Sequence, residues 1–550
     1  MSGEKMSNPN RIESCENSVV ATPLPDGVLK EQDVGVVLRD GIRLSANVYR
    51  PEVPGRYPVI MAISPYGKDY FSGFDFFMKL PGNSVGNIRI SDQTAFEAPD
   101  PGFWVPHGYV VIQVDTRGQG LSEGDLNSFS AEEQQDYMEL IDWASTQPWS
   151  CGNVGLCGVS FLAITQWGVA QHRPPALRAI IPWEGWNEPF HRKSFGGIPE
   201  VKFRRFVTDQ WVTPHHNPAG GYVKKEGADD PANHPFLDDF WLAQTPALEK
   251  ISVPALVCAS FSDQELHTRD SFSGFNRLGS EQKWLYNHRQ PKWHAFYSKE
   301  ALDIQLRFFD RFLKGRDTGI EDQPRVRLEI NQDRTHFVVY HADAWPPREV
   351  EAERLYLDTR DMALKTEAPG AVSVVTYDAV QGQATFSYSF DTDTNLVGNM
   401  RLRLWVEARG SEDMDLFVGI RKFDRDGNEV YFYGFAGNNS NDIVSRGWLR
   451  ASRRELDEKH STELRPVHLH KRDLFLSPGE VVPVEIELMP SGTRFLAGEK
   501  LAVTVQGRVI EPHHSLIEHD HLRNKGLHCI YTGTGYDSYL VVPVLSGALA

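Results

Sequence analysis

The chain has 550 residues, well past the length at which a single hydrophobic core stops growing, so two or more domains are expected. Its 40% hydrophobic content is that of a compact globular protein, and its formal net charge of -17 argues against nucleic acid or an anionic membrane as a partner, since both would repel it. The five cysteines (Cys15, Cys151, Cys157, Cys258, Cys529) are odd in number and lack CxxC spacing, which speaks against a disulfide framework or zinc knuckle.

In chain order, residues 1 to about 30 read as a polar arm without the apolar core of a signal peptide, and no run approaches a membrane span. A cytoplasmic location is therefore expected. Val34–Arg39 and Leu44–Tyr49 flank Asp40-Gly41, a hairpin signal. Tyr57–Ile63 and Tyr109–Val114 are apolar without strict alternation, which suits strands buried on both faces of a parallel sheet. A helix is expected over Asp136–Ser145, a strand at Asn153–Cys157, and an apolar helix over Phe161–Ala170. Strands at Ala179–Pro182, Ala255–Ala259 and Lys283–Tyr286 and an amphipathic helix over about Ala301–Leu313 complete a doubly wound α/β sheet. The segment of about 187–248 breaks this pattern and reads as a helical cap over the sheet. From about residue 321 the character changes to short alternating runs such as Arg401–Glu407, Val484–Leu488 and Leu501–Val505, separated by turns such as Asp426-Gly427. That predicts a β-sandwich over 321–550, after a catalytic domain over 31–320.

Chemistry concentrates at Val154–Ala163, VGLCGVSFLA, where a short apolar strand runs through Gly158-Val159-Ser160 into a helix. A nucleophile elbow needs this context, because a tight turn makes the hydroxyl project from the sheet edge while the helix N-terminus offers amides to a developing oxyanion. Leu162 stands where a second glycine is usual, and the bland alternative is Ser160 as a helix N-cap. Chain order favours the elbow. An acid is expected after a later strand, where SFSDQELH offers Asp263 or Glu265, and a histidine near the end of the domain, where NHRQPKWHAF offers His288 or His294.

These pieces together resemble the cocaine esterase and X-Pro dipeptidyl-peptidase family of CocE/NonD hydrolases, which also includes α-amino-acid ester hydrolases. DGIRLSANVYRP, SPYGK, HGYVVIQVDTRGQGLSEG, VGLCGVSF, SFSD, KWHAF and LRFFDRFLKGRDTGI look like its landmarks in its order, and PRVRLEI, DMDLFVGI, WLRASRRELDE and LAGEKLAVTV continue the likeness to about residue 545. The resemblance implies an α/β-hydrolase domain with a helical cap and a C-terminal jelly-roll. It implies Ser160 as nucleophile, Asp263 as acid and His294 as base, rather than Glu265 or His288. It also implies an oxyanion hole made by the Tyr66 hydroxyl and the Phe161 N–H.

The expected activity is hydrolysis of a carboxylic ester or amide through an acyl-enzyme, without cofactor or metal, on a small-molecule substrate. Acyl transfer to an alcohol or amine, X-Pro dipeptide release and a silent binding protein are the alternatives. A homo-oligomer is compatible with the family. Trp183, Glu184, Trp186 and Glu188 follow the fourth strand and are candidate substrate contacts, the acidic pair for a substrate amine. Asp115 and Arg117 read as loop ties. The His- and acid-rich stretch Glu511–His528 lacks metal-ligand spacing, and Asp424-Arg425-Asp426-Gly427-Asn428 reads as a hairpin turn rather than a calcium loop.

Overall fold

The computed structural model describes residues 18–69, 73–79, 85–217, 230–434 and 441–547; Cys15 and most of the expected N-terminal arm lie outside them, as do the side chains of Arg204, Trp211 and Asp230. Ten strands form the sheet that carries the site: β1 (Val28–Val37), β2 (Arg43–Pro51), β3 (Tyr57–Ser64), β4 (Val110–Asp115), β5 (Ser150–Val159), β6 (Leu177–Trp183), β7 (Ala255–Ser260), β8 (Lys283–His288), β9 (Val326–Asn331) and β10 (Phe337–Ala342). Their spatial order is β1-β2-β4-β3-β5-β6-β7-β8-β9-β10. The run from β4 through β9 is parallel, whereas β1–β2, β2–β4 and β9–β10 pair antiparallel.

Every residue of β4 and β7 is buried, which explains why neither alternates: side chains on both faces meet apolar layers. One layer contains Trp104, Trp284, Trp293, Phe308 and Phe309; the other contains Ile141, Trp167, Phe272 and Phe275. The flanking helices are α1 (Ala131–Thr146), α2 (Phe161–Ala170), α3 (Thr268–Arg277), α4 (Lys292–Phe296) and α5 (Lys299–Lys314). Ser130 caps α1 by accepting from the Glu133 N–H at 3.1 Å, and Ser298 caps α5 by accepting from the Ala301 N–H at 3.2 Å. These two helices thus start earlier than the apolar periodicity alone indicates, because Glu132 and Glu133 in one and Lys299 and Glu300 in the other make the first turn largely polar.

Over 187–248 the described residues form short helices, among them Pro189–Lys193, Lys202–Val207 and Asp239–Gln244, and a two-stranded pair, Ser194–Phe195 with Ile198–Pro199. Beyond residue 345 the strands pair almost wholly antiparallel. The 16-residue strand Thr394–Arg409 pairs with Val482–Phe495, Leu527–Thr532 and Tyr539–Leu545. Asn331 of β9 pairs with Thr493, so the two halves share a continuous sheet. Arg289 fastens that junction, donating to Thr493 Oγ1 at 3.1 Å and the Ile443 carbonyl at 2.9 Å while lying over the Phe432 ring. The Asp426-Gly427 turn is tied by Asp424 Oδ1, which accepts from the N–H groups of Asp426 and Asn428. Cys151, Cys157, Cys258 and Cys529 are free thiols, and among the described residues no helix is long and apolar enough to cross a membrane.

Candidate active site

Ser160 sits between β5 and α2 with φ 56° and ψ -114°, a conformation that L residues avoid and that costs on the order of 1–3 kcal/mol. Tertiary contacts hold it there: its N–H donates to the Trp183 carbonyl at 3.0 Å, and the preceding residue, Val159, donates its N–H to the Glu97 carbonyl at 3.1 Å. Gly158 makes the turn possible, since a Cβ there would stand 2.6 Å from Leu162 Cβ. The bulky residue in the second small position of the elbow is therefore absorbed by the first. Ser160 makes no side-chain cap, so the N-cap alternative fails, and its hydroxyl is left for chemistry.

Ser160 Oγ lies 3.1 Å from His267 Nε2, and His267 Nδ1 lies 3.1 Å from Asp263 Oδ2. The ring N–H does not point along the second line, so this contact is close without being a formed hydrogen bond. The loop after β7 makes the juxtaposition. Asp263 O accepts from the N–H groups of Leu266, His267 and Thr268, and Thr268 Oγ1 donates to the Ser260 carbonyl at 2.8 Å. That tight turn puts side chains four apart on one side, with His267 at the N-terminal end of α3.

The histidine is the principal correction to the sequence reading. His294 is not at Ser160: it lies on α4 with Nδ1 2.9 Å from the Asn87 carbonyl, and its Cβ and ring pack so closely on Gly86 that a Cβ there would meet them at 2.5 Å. Neighbours on a helix are about 100° apart, so with Trp293 lining the pocket and Lys292 turned to Asp263, His294 faces away. His288 instead bonds Glu184 at 3.0 Å, and Glu265 accepts from the His514 N–H at 2.9 Å. The missed signal was the last letter of SFSDQELH, a histidine entering a helix four residues after the acid.

Ser160 opens into a pocket walled by Tyr66, Phe96, Phe129, Phe161, Trp186 and Trp293, with Glu97, Glu200, Arg192, Lys193 and Lys292 adding charge. Phe129 packs on Phe161 and Trp186 with ring centroids 4.7 and 4.6 Å apart. Tyr66 meets the Phe161 ring edge-on at 6.1 Å. The Phe161 N–H, first in α2, has no carbonyl a turn before it within the helix.

Of the four residues expected at the substrate, Trp186 alone lines this pocket. Trp183 is core, packed on Tyr286 and Phe296. Glu184 is fully buried and accepts from Ser260 Oγ at 2.6 Å and faces His288; Glu188 pairs with Arg269 and Arg277. Asp115 and Arg117 do tie loops, through the N–H groups of Lys68 and Leu121 and through Asp136 and Asp40.

Burial holds the His267 imidazole well below its ordinary 6.5, with Lys292 and Arg192 adding repulsion. Burial pushes the Asp263 carboxyl up, and it stays raised, to about 8, although Lys292 opposes the shift; Glu184 adds to the push. Burial also raises Glu97, to about 8. Among the described residues, Glu184, Cys258 and His288 are the group whose ligand atoms converge, within 4.8 Å. Their bonds are already taken up: Glu184 by Ser260 and His288, and His288 Nδ1 by the Gln290 N–H at 3.1 Å.

A strained serine facing a buried imidazole and carboxylate is the arrangement of a serine hydrolase, and comparison with known proteins agrees. Residues 40–295 match the model of the X-Pro dipeptidyl-peptidase (S15) family, and residues 318–541 match that of the X-Pro dipeptidyl-peptidase C-terminal non-catalytic domain. The crystal structure of a CocE/NonD family hydrolase from Staphylococcus aureus is 42% identical, covers 94% of each chain and superimposes with a TM-score of 0.88. The chain belongs to the CocE/NonD hydrolase family. Cocaine esterase from Rhodococcus sp. is 26% identical over 54% of this chain, and the chain spans 57% of that esterase. An α-amino acid ester hydrolase structure, 18% identical with a TM-score of 0.69 over 98% of this chain and 100% of its own, shares the fold. This CocE/NonD protein is accordingly a hydrolase of serine-hydrolase type, an α/β-hydrolase with a C-terminal domain.

Proposed function

We propose that the protein hydrolyses a carboxylic ester or amide with a bulky apolar group through an acyl-enzyme on Ser160. The observation that carries this reading is the 3.1 Å approach of Ser160 Oγ to His267 Nε2 at the floor of an aromatic pocket. His267, replacing the expected His294, takes the hydroxyl proton as Ser160 attacks the carbonyl carbon. Asp263 orients the imidazole and steadies its positive charge. The Phe161 N–H and the Tyr66 hydroxyl hold the oxyanion, each such donor being worth about 3 kcal/mol. The intermediate collapses, the leaving alkoxide or amine takes the proton from His267, and water repeats the sequence to free the acid. Apo sites are commonly loose, and a small ring rotation of His267 would align Nδ1 with Asp263 once substrate excludes water.

The substrate is a small molecule, and neither nucleic acid nor membrane is a partner in this reading. The C-terminal strands are read as a jelly-roll, with the domain boundary near residue 320, a division supported by the separate family matches on either side. Location in the cytoplasm and assembly as a homo-oligomer extend the same proposal. A fluorophosphonate probe followed by peptide mapping tests it: Ser160 should carry the label, and Ser160→Ala should carry none. Panels of p-nitrophenyl esters, aryl amides and X-Pro peptides, with and without added alcohols and amines, then fix the leaving group and separate hydrolysis from acyl transfer. Label on another residue, or turnover by Ser160→Ala, would refute the reading.

A further inference from the structure

Lys292 opens α4, on the stretch that the family pattern expects to deliver the base. Here that stretch delivers an ammonium. Lys292 is 1% exposed, and its Nζ stands 2.7 Å from Asp263 Oδ2, the same oxygen that lies 3.1 Å from His267 Nδ1. One carboxylate oxygen is thus shared by the imidazole and the ammonium.

The surroundings make that ammonium matter. Glu184, at the end of β6, is a second buried carboxylate close enough to raise Asp263, and Glu97 is a third acidic group facing Lys292. Glu97 Oε1 accepts from Trp293 Nε1 at 3.0 Å. On the other sides stand His288 of β8, bonded to Glu184, and Arg192, paired with Glu200 at 3.2 Å. From the C-terminal half comes His514, buried and held well below 6.5 by burial and by Lys292. A buried carboxylate without a counter-ion takes a proton rather than stay charged. A protonated Asp263 could not steady a histidinium.

We propose that Lys292 is a positioning residue for hydrolysis: its ammonium, 2.7 Å from Asp263 Oδ2, favours the charged form of Asp263 against burial, so that the carboxylate can orient His267 and stabilise its protonated form. The proposal rests on the Ser160–His267–Asp263 reading. Lys292 is not itself the base, because its ammonium is directed at Asp263 while His267 faces the hydroxyl, and because Asp263, Glu184 and Glu97 together outweigh burial and hold its proton on.

The test uses the full chain with Lys292→Met, Lys292→Arg, Asp263→Asn and the double variant Asp263→Asn/Lys292→Met. Turnover of a p-nitrophenyl ester and the fluorophosphonate labelling rate are followed from pH 5 to 10, with thermal melts as a folding control. Lys292→Met should lower kcat about 100-fold at pH 7 with KM little changed, and its acid limb should move up by about one pH unit or more, so that activity returns as Asp263 ionises. Lys292→Arg should keep the wild-type limb. In the Asp263→Asn background, losing Lys292 should cost nothing further. A folded Lys292→Met enzyme with the wild-type limb, or an equal loss in both backgrounds, would overturn the proposal. Should Lys292→Met not fold, Lys292→Arg decides, and a folded arginine variant whose limb has moved would overturn it. Ser160→Ala and His267→Ala are run alongside: if either keeps turnover, the underlying triad reading has failed; if both abolish it, a negative result strikes Lys292 alone.

Discussion

Asp263 and His267 stand four residues apart on one loop, with Oδ2 and Nδ1 3.1 Å apart. The usual chain order for this fold takes the histidine from a later strand's loop. In the proposed triad a single tight turn after β7 supplies both acid and base, and the later loop supplies Lys292.

The two histidines make the sharpest comparison. His267→Ala removes the imidazole at Ser160 and should lower kcat by roughly four to six orders of magnitude, as loss of a triad base does. His294→Ala removes a ring that meets the Asn87 carbonyl and should leave kcat within about threefold of wild type, a surface-type change. Steady-state kinetics on one ester decides the matter; the opposite ranking would restore His294 as the base.

Tyr66 is 5% exposed and lines the pocket beside Phe161. Tyr66→Phe keeps the ring packing against Phe96 and Phe161 and deletes only the hydroxyl. If that hydroxyl meets the oxyanion, kcat should fall about 100-fold with KM nearly constant, because the interaction exists in the transition state and not in the ground state. A change confined to KM would assign Tyr66 to substrate binding instead.

Much of this was legible in the chain. Buried strands such as β4 announce themselves as unbroken apolar runs, and the elbow was readable because Gly158 and Ser160 fall between such a run and a helix. The loop after β7 was readable as the source of a buried carboxylate, with Asp263 and Glu265 both on offer there. What could not be read was direction. Lys292, Trp293 and His294 of KWHAF fall within one helical turn, and only their contacts, Lys292 at Asp263, Trp293 at the pocket and His294 on Gly86, show which of them turn inward. Likewise Trp183 and Glu184 lie next to Trp186 in sequence, yet a strand end and a positive φ at Glu184 send the first two into the core. Contacts between segments decide such cases, and no local pattern carries them.

The strain at Ser160 has a thermodynamic signature. At an ordinary site, glycine is less stable than alanine by about 0.5–1 kcal/mol. At φ 56°, ψ -114° the order should reverse, because alanine keeps the Cβ that this backbone opposes. Ser160→Gly should therefore be more stable than Ser160→Ala by about 1 kcal/mol, both being inactive. Urea midpoints of the two variants measure it, and an alanine variant at least as stable as the glycine one would show the elbow to be relaxed.

His528 should make the protein acid-sensitive. It is fully buried on the strand Leu527–Thr532 beside Tyr377, and neither ring nitrogen meets a protein partner among the described residues. Burial depresses its pKa to about 4, opposed only by Asp378. The sign follows from proton counting. Between about pH 4 and 6.5 the unfolded chain holds a proton on this imidazole and the folded chain does not, so stability rises with pH across that window and is lost as pH falls through it. Near pH 5 this one group costs at most about 2 kcal/mol relative to pH 7. His528→Leu removes the linkage, so its stability should fall less steeply from pH 7 to pH 5 than that of the wild type, whatever the two absolute values are. Urea denaturation of both proteins at the two pH values isolates the difference, and parallel pH dependences would mean that His528 accepts its proton without unfolding.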